Sequence, residues 1–162
     1  MSASPTVAFL FRHPAHFLAL GLGAGLSRVA PGTFGTLVAI PLAFLLHAFA
    51  SDWEFVVVVV VLFVIGAWAA QVTGRNLGVP DHGAIVVDEI AAFLLVLHFV
   101  GLDWVRVAGA FVIFRLFDIV KPPPIRWIDE KVPGGAGVVL DDVAAGALGC
   151  AVMVGLARLG WW

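Results

Sequence analysis

The sequence predicts an all-α integral membrane protein, a helical bundle of about four to five spans. Three observations carry that prediction. Of the 162 residues, 62% are hydrophobic and only 12% charged, with a mean hydropathy of +1.07, a balance suited to lipid rather than water. From Phe55 to Val72 the chain is apolar but for Gln71, six consecutive valines (Val56 to Val61) included. That approaches the about 20 residues that cross a hydrocarbon core of roughly 30 Å. Finally, eight of the eleven acidic residues gather in three clusters at the ends of apolar segments: Asp81, Asp88, Glu89, Asp118, Asp129, Glu130, Asp141 and Asp142.

A chain of this length is expected to form one domain, here 1–162. Phe9 to Leu26 is apolar but carries Arg12, His13, Pro14 and His16. It suits an amphipathic or re-entrant entry segment, which with a glycine-rich loop occupies 1–35; no cleavable signal peptide is evident. The bundle follows over 36–160. Thr36 to Ala50 reads as a span kinked at Pro41, joined by the polar turn Ser51-Asp52-Trp53-Glu54 to Phe55–Val72. Valine runs favour strands, but an apolar stretch this long favours a helix. Ile90 to Leu102, Trp104 to Phe117 and Val143 to Leu159 come next. They are short for spans, so their polar first turns are expected to enter the membrane boundary. Their lack of polar faces argues against a soluble bundle.

If five segments cross in turn, Arg12, Arg28, Arg75, Arg115, Lys121, Arg126 and Lys131 share one side, against Arg106 and Arg158 on the other. That bias makes the first side cytoplasmic. The acidic clusters lie there too, while Asp52, Glu54 and Asp103 face out. A net charge of −2 without a basic arm or stripe predicts no nucleic-acid partner. Cys150 is the one cysteine, so no internal disulfide forms.

Four constellations carry chemistry. Asp88-Glu89 opens the Ile90 segment after Asp81-His82-Gly83. Carboxylates at a helix start complement its dipole, which is explanation enough for one such pair. Asp141-Asp142 opens the Val143 segment in the same way, after Gly134-Gly135-Ala136-Gly137; two such pairs exceed what capping requires. Adjacent residues diverge by about 100° around a helix, so one member of each pair can face inward and its neighbour the rim. In the third constellation Arg115 and Asp118 share a helical face, with Lys121 one turn later. An ion at the depth of Arg115 is costly unless partnered. Pro122-Pro123-Pro124 then imposes a stiff, extended connection that holds Lys121 and Arg126 at the boundary, followed by Asp129 and Glu130. The fourth runs from Gly21 through Ser27 to Pro31-Gly32-Thr33 and Gly35-Thr36. It lacks the lysine of a Walker motif, and its small residues suit either close packing or an anion held at a helix N-terminus. Clustered carboxylates in so apolar a chain point to a hard cation such as Mg²⁺.

These motifs resemble the phosphatidylglycerophosphatase A family of bacterial membrane enzymes. The likeness lies in Gly25-Leu26-Ser27, Ala30-Pro31-Gly32-Thr33, Asp81-His82-Gly83, Asp88-Glu89, Phe114-Arg115, Phe117-Asp118, Lys121-Pro122, Asp129, Gly134-Gly135 and Asp141-Asp142. It runs from about Gly21 to Gly149 in the family's order. One departure is Arg28, where the family commonly has proline.

The resemblance implies Mg²⁺-dependent hydrolysis of the phosphate monoester of phosphatidylglycerophosphate to phosphatidylglycerol, at the bacterial inner membrane with the site facing the cytoplasm. Asp88, Glu89, Asp118, Asp141 and Asp142 are then expected to hold metal, Glu89 also serving catalysis. Arg115 and Lys121 would clamp phosphate, and Asp81, His82 or Asp129 would orient water or leaving group. Ser27, Gly32, Thr33, Thr36 and Arg126 complete the substrate contacts. No Cys-x₅-Arg or Asp-x-Asp-x-Thr nucleophile motif occurs, which favours direct attack by water. The rivals are a phosphatase acting on another lipid phosphate and a cation carrier or small transporter. The carrier calls for carboxylates at mid-depth rather than at segment ends. His13, His16, His47 and His98 are expected to be structural.

Overall fold

The computed structural model describes residues 4–132 and 135–160, so Gly134 of the glycine run lies outside the described residues. All described secondary structure is helical: α1 (Val7–Leu10), α2 (Pro14–Ala19), a 3₁₀ segment (Gly21–Leu26), α3 (Pro31–Phe49), α4 (Asp52–Leu77), α5 (Val87–Val100), α6 (Trp104–Val120), α7 (Ile125–Lys131) and α8 (Gly135–Arg158). Three helices are long and apolar enough to cross a membrane: Pro31–Phe49, Asp52–Leu77 and Ala136–Arg158. The 14-residue α5 is about 21 Å long, shorter than a hydrocarbon core.

Several boundaries differ from the sequence expectation. Ser51 to Glu54 is not a turn but the start of α4: the Glu54 N–H donates to Ser51 Oγ (3.4 Å) and the Ser51 N–H to Glu54 Oε2 (2.8 Å), a capping box. α3 begins at Pro31 instead of Thr36, because proline suits the first helical position, and it remains one helix through Pro41. The three prolines end α6, yet the chain beyond them is not extended. Pro122 O accepts the Ile125 N–H at 2.9 Å and α7 starts at once. α8 begins eight residues before Val143, since Gly137 is a packing residue: a Cβ there would overlap the Val132 carbonyl.

α5 is the central helix. Ile90, Ala91, Phe93, Leu94, Val96 and Leu97 are all buried, and α3, α4, α6 and α8 pack around them. Glycines set the close approaches. Gly35 of α3 sits on Val86, Gly66 of α4 on Val87, and Gly146 of α8 on Val96. The N-terminal ends of α3 and α5 and the C-terminal end of α4 therefore meet at one end of the bundle. At the other, His47, Phe55 and His98 pack ring to ring, each histidine about 4.5 Å from the phenyl centroid. His16 is buried: its Nδ1 pairs with Phe9 O (3.0 Å) and its Nε2 with Asn76 Nδ2 (2.8 Å), tying α2 to α4.

Candidate functional site

Three carboxylates from two helices converge at the end of the bundle that holds the N-terminus of α5. Asp88 and Glu89 lie in the first turn of α5, whose N-cap, Val86, gives no side-chain cap, so they meet the positive end of the helix. Asp142 comes from α8. One oxygen of each lies within 4.8 Å of the others. Asp88 is 6% exposed and Asp142 4%. Asp88 Oδ1 accepts the Glu89 N–H at 3.0 Å, while Glu89 Oε2 is a buried atom without a hydrogen-bond partner among the described residues.

Asp142 reaches this point because Gly146, one turn on, lets α8 close on α5; a Cβ there would stand 3.1 Å from Val96 Cγ2. Both Asp141 and Asp142 lie about two turns inside α8, not at its opening as the sequence suggested. Helix capping therefore accounts for neither. Their neighbouring positions point them apart. Asp141 Oδ2 accepts from Lys121 Nζ at 2.6 Å, and the same ammonium donates to Asp129 Oδ1 at 2.7 Å. Burial would lower the Lys121 pKa, but its hydrogen bonds to Asp129 and Asp141 outweigh it and hold the amine well above its ordinary value.

Arg115, in the last two turns of α6, faces the cluster. Its Nη1 lies 2.5 Å from Asp118 Oδ2 and 3.6 Å from Glu89 Oε1. These are charge contacts without hydrogen-bond geometry, and Nε and Nη1 are both buried with no hydrogen-bond partner among the described residues. Gly32 of α3 completes the wall. A Cβ on it would overlap Glu89 Oε1 and stand 3.0 and 3.1 Å from the two terminal nitrogens of Arg115. The glycine-rich loop therefore reaches the carboxylates by backbone.

The remaining sequence candidates surround this centre or lie apart from it. His82 Nδ1 accepts the Ala84 N–H at 3.1 Å. With Ser27, Arg28 and Pro31, His82 lines a cavity of about 390 Å³. Ser27 Oγ donates to Val29 O at 2.8 Å. Thr36 is buried and its hydroxyl donates to Gly32 O at 2.9 Å, so it braces α3. The Thr33 and Phe34 N–H groups both donate to Ala30 O, at 3.0 and 3.3 Å, so the start of α3 offers fewer free N–H groups than expected. Asp81 is exposed. Arg126 pairs with Glu130 (3.0 Å) on the exposed side of α7. Arg28, noted in the sequence only as a departure from the family pattern, shares the cavity with His82; a cation following the loop serine was the available signal.

A family model described as Phosphatidylglycerophosphatase A matches residues 17–157. The Phosphatidylglycerophosphatase A of Escherichia coli (strain K12) is 42% identical over 143 residues, 87% of this chain and 82% of that protein. The protein of the same name from Haemophilus influenzae is 41% identical over 134 residues, 82% of each chain. A Bacteroides thetaiotaomicron protein named as a candidate phosphatidylinositol-3-phosphatase is 39% identical over 146 residues, 85% of this chain and 89% of its own. No solved structure matches significantly. The family read from the ordered motifs is thus borne out over most of the chain, and the chain belongs to the phosphatidylglycerophosphatase A family.

Proposed function

We propose that the chain hydrolyses the phosphate monoester of phosphatidylglycerophosphate, releasing phosphate and phosphatidylglycerol at the cytoplasmic face of the bacterial inner membrane. The observation that carries this reading is the Asp88–Glu89–Asp142 cluster beside Arg115, in a chain of this family. One domain spans 1–162, and α5 and α6 cross together with α3, α4 and α8, which brings the count to five. Seven basic residues near the site end against two near the other favour the cytoplasmic side.

Three carboxylates so close together, Asp88 and Asp142 buried and Glu89 partly so, repel one another, and an unpartnered charge in an apolar setting is costly. An all-oxygen donor set with Glu89 Oε2 unpartnered fits a hard divalent cation such as Mg²⁺. Asp88, Glu89 and Asp142 would hold it, and Asp118 and Asp141 border the site through their ion pairs with Arg115 and Lys121. Bound there, such an ion supplies charge neutralisation and an activated water.

The chain's own groups do the rest. Arg115 directs its unengaged N–H groups to the phosphoryl oxygens, while Asp118 and Glu89 fix its guanidinium. Lys121, held protonated by Asp129 and Asp141, gives a second cationic contact. With Nδ1 accepting the Ala84 N–H, His82 offers its Nε2–H as a hydrogen-bond donor to the departing glycerol oxygen, which takes its proton from the attacking water. Asp81 orients water at the rim, and Ser27, Gly32, Thr33 and Arg126 hold the headgroup.

Purified protein in lipid vesicles, given phosphatidylglycerophosphate with and without Mg²⁺, tests the reading. Phosphate release only with Mg²⁺ is expected. A folded, Mg²⁺-supplied protein that releases none would reject it. The relative named for phosphatidylinositol 3-phosphate keeps a second lipid phosphate in view, so that lipid belongs in the same assay. Preferential release from it would reassign the substrate.

A further inference from the structure

Between α5 and α8 lies a cavity of about 300 Å³. Ala92, Val96 and Phe99 line it from α5, and Val143, Ala147 and Cys150 from α8. Every lining residue is apolar. One end is fixed to the site by chain geometry, since Ala92 is one helical turn beyond Asp88 and Val143 directly follows Asp142. Cys150 is eight residues past Asp142, about 12 Å farther along the helix. Phe99 and Ala147 are exposed at the rim, so the cavity opens on the flank of the bundle and not at its polar end. A second cavity, of about 170 Å³, shares Phe99 and is lined also by Arg106, Met153 and Ala157.

We infer that this groove holds an acyl chain of the lipid whose phosphate meets the Asp88–Glu89–Asp142 cluster; the inference rests on the function proposed above. A slot lined by apolar side chains has nothing to offer a headgroup. A diacyl lipid presents a polar head and an apolar tail in the order in which the two helices present carboxylates and groove. The opening on the flank of α8, a helix apolar and long enough to cross a membrane, lets a chain enter sideways from the bilayer. A water-soluble phosphate ester would leave the groove unused. Ala92, Gly146 and Ala147 leave the space open because none carries more than a methyl group.

Cys150 is the chain's one cysteine and gives a readout separate from catalysis. Full-length protein in phosphatidylcholine vesicles is alkylated with N-ethylmaleimide while a non-hydrolysable phosphonate analogue of phosphatidylglycerophosphate is raised through its inhibitory range. With nine-tenths of the sites filled, alkylation is expected to slow about tenfold, whereas glycerol 3-phosphate, the headgroup piece without chains, leaves the rate unchanged. In parallel, Ala147→Trp at the exposed rim is expected to raise KM for the long-chain lipid about tenfold, a loss of about 1.4 kcal/mol in binding, with a smaller effect on kcat. An analogue that inhibits phosphate release yet leaves Cys150 alkylation unchanged would overturn the groove and leave the proposed function standing. An unaltered KM in folded Ala147→Trp would do the same. Absence of phosphate release from the lipid by wild-type protein would reject the proposed function, and the groove with it.

Discussion

Gly32 of α3 lies directly against Glu89 of α5, so close that a single added Cβ would overlap Glu89 Oε1. The same Cβ would press on the Arg115 guanidinium. A backbone position that looks like loop punctuation in the sequence thus fixes how a carboxylate and a cation sit in the candidate site.

Gly32→Ala is therefore expected to displace Glu89 and Arg115 while leaving the helices in place. A misplacement of about 1 Å in a reacting site costs on the order of 10² in rate, and phosphate release should fall by about that factor. Gly83→Ala is the control, because a Cβ there meets nothing within 4 Å and activity should hold. Wild-type turnover by Gly32→Ala would mean that the Glu89–Arg115 geometry does not matter to the reaction.

Asp142 and Asp88 allow a sharper separation of chemistry from architecture. Asn keeps the shape of Asp and caps nearly as well, costing only tenths of a kcal/mol at a helix start. Because Asp142 lies inside α8, a capping role is not open to it. Loss of one preorganised electrostatic contact is worth roughly 3–4 kcal/mol, about 10²–10³ in rate, and Asp88→Asn and Asp142→Asn should each lose that much. Asp52→Asn and Asp103→Asn, at the opposite end of the bundle, should remain near wild type. Membrane level and Tm are measured on every variant. Folded Asn variants with normal turnover would remove both aspartates from the reaction.

Much of this arrangement was legible in the sequence, for reasons of short range. Long apolar stretches with scarce charge specify apolar helices without tertiary information, the strand preference of the valine run notwithstanding. The spacing of Arg115 and Asp118 put them on one face, and they lie 2.5 Å apart. What stayed hidden was tertiary. Nothing local marks Lys121 as the bridge between Asp129 and Asp141, which are 8 and 20 residues away. Gly137 and the three prolines read as loop signals, since their usual meaning is a break. Here Gly137 permits contact with the Val132 carbonyl, and the prolines lead directly into α7.

Metal binding should show in stability as well as in activity. The three carboxylates come together only in the folded chain, so an ion bound there stabilises the folded state by mass action, about 2.7 kcal/mol at one hundred times its Kd. Tm in detergent is expected to rise with Mg²⁺ and to return to its starting value with EDTA, along with loss of phosphate release. Asp142→Asn should abolish the Tm response, and by removing one of three crowded charges it should not lower the Tm of the metal-free protein. A Mg²⁺ response of equal size in wild type and Asp142→Asn would place the ion elsewhere.

The sidedness of the site is open to a direct chemical test. Gly83 and Ala136 are exposed at the end of the bundle that carries the carboxylates, and Ser51 is exposed at the other. In a Cys150→Ala background, cysteine is placed at each in turn and intact cells are treated with a membrane-impermeant thiol reagent. The basic-residue bias near the site end leads to the expectation that Ser51→Cys reacts from outside. Gly83→Cys and Ala136→Cys should react only after the inner membrane is opened. Phosphate release by each variant confirms that the labelled protein is folded. Labelling of active Gly83→Cys or Ala136→Cys from outside, with Ser51→Cys protected, would turn the molecule over and put hydrolysis on the periplasmic face.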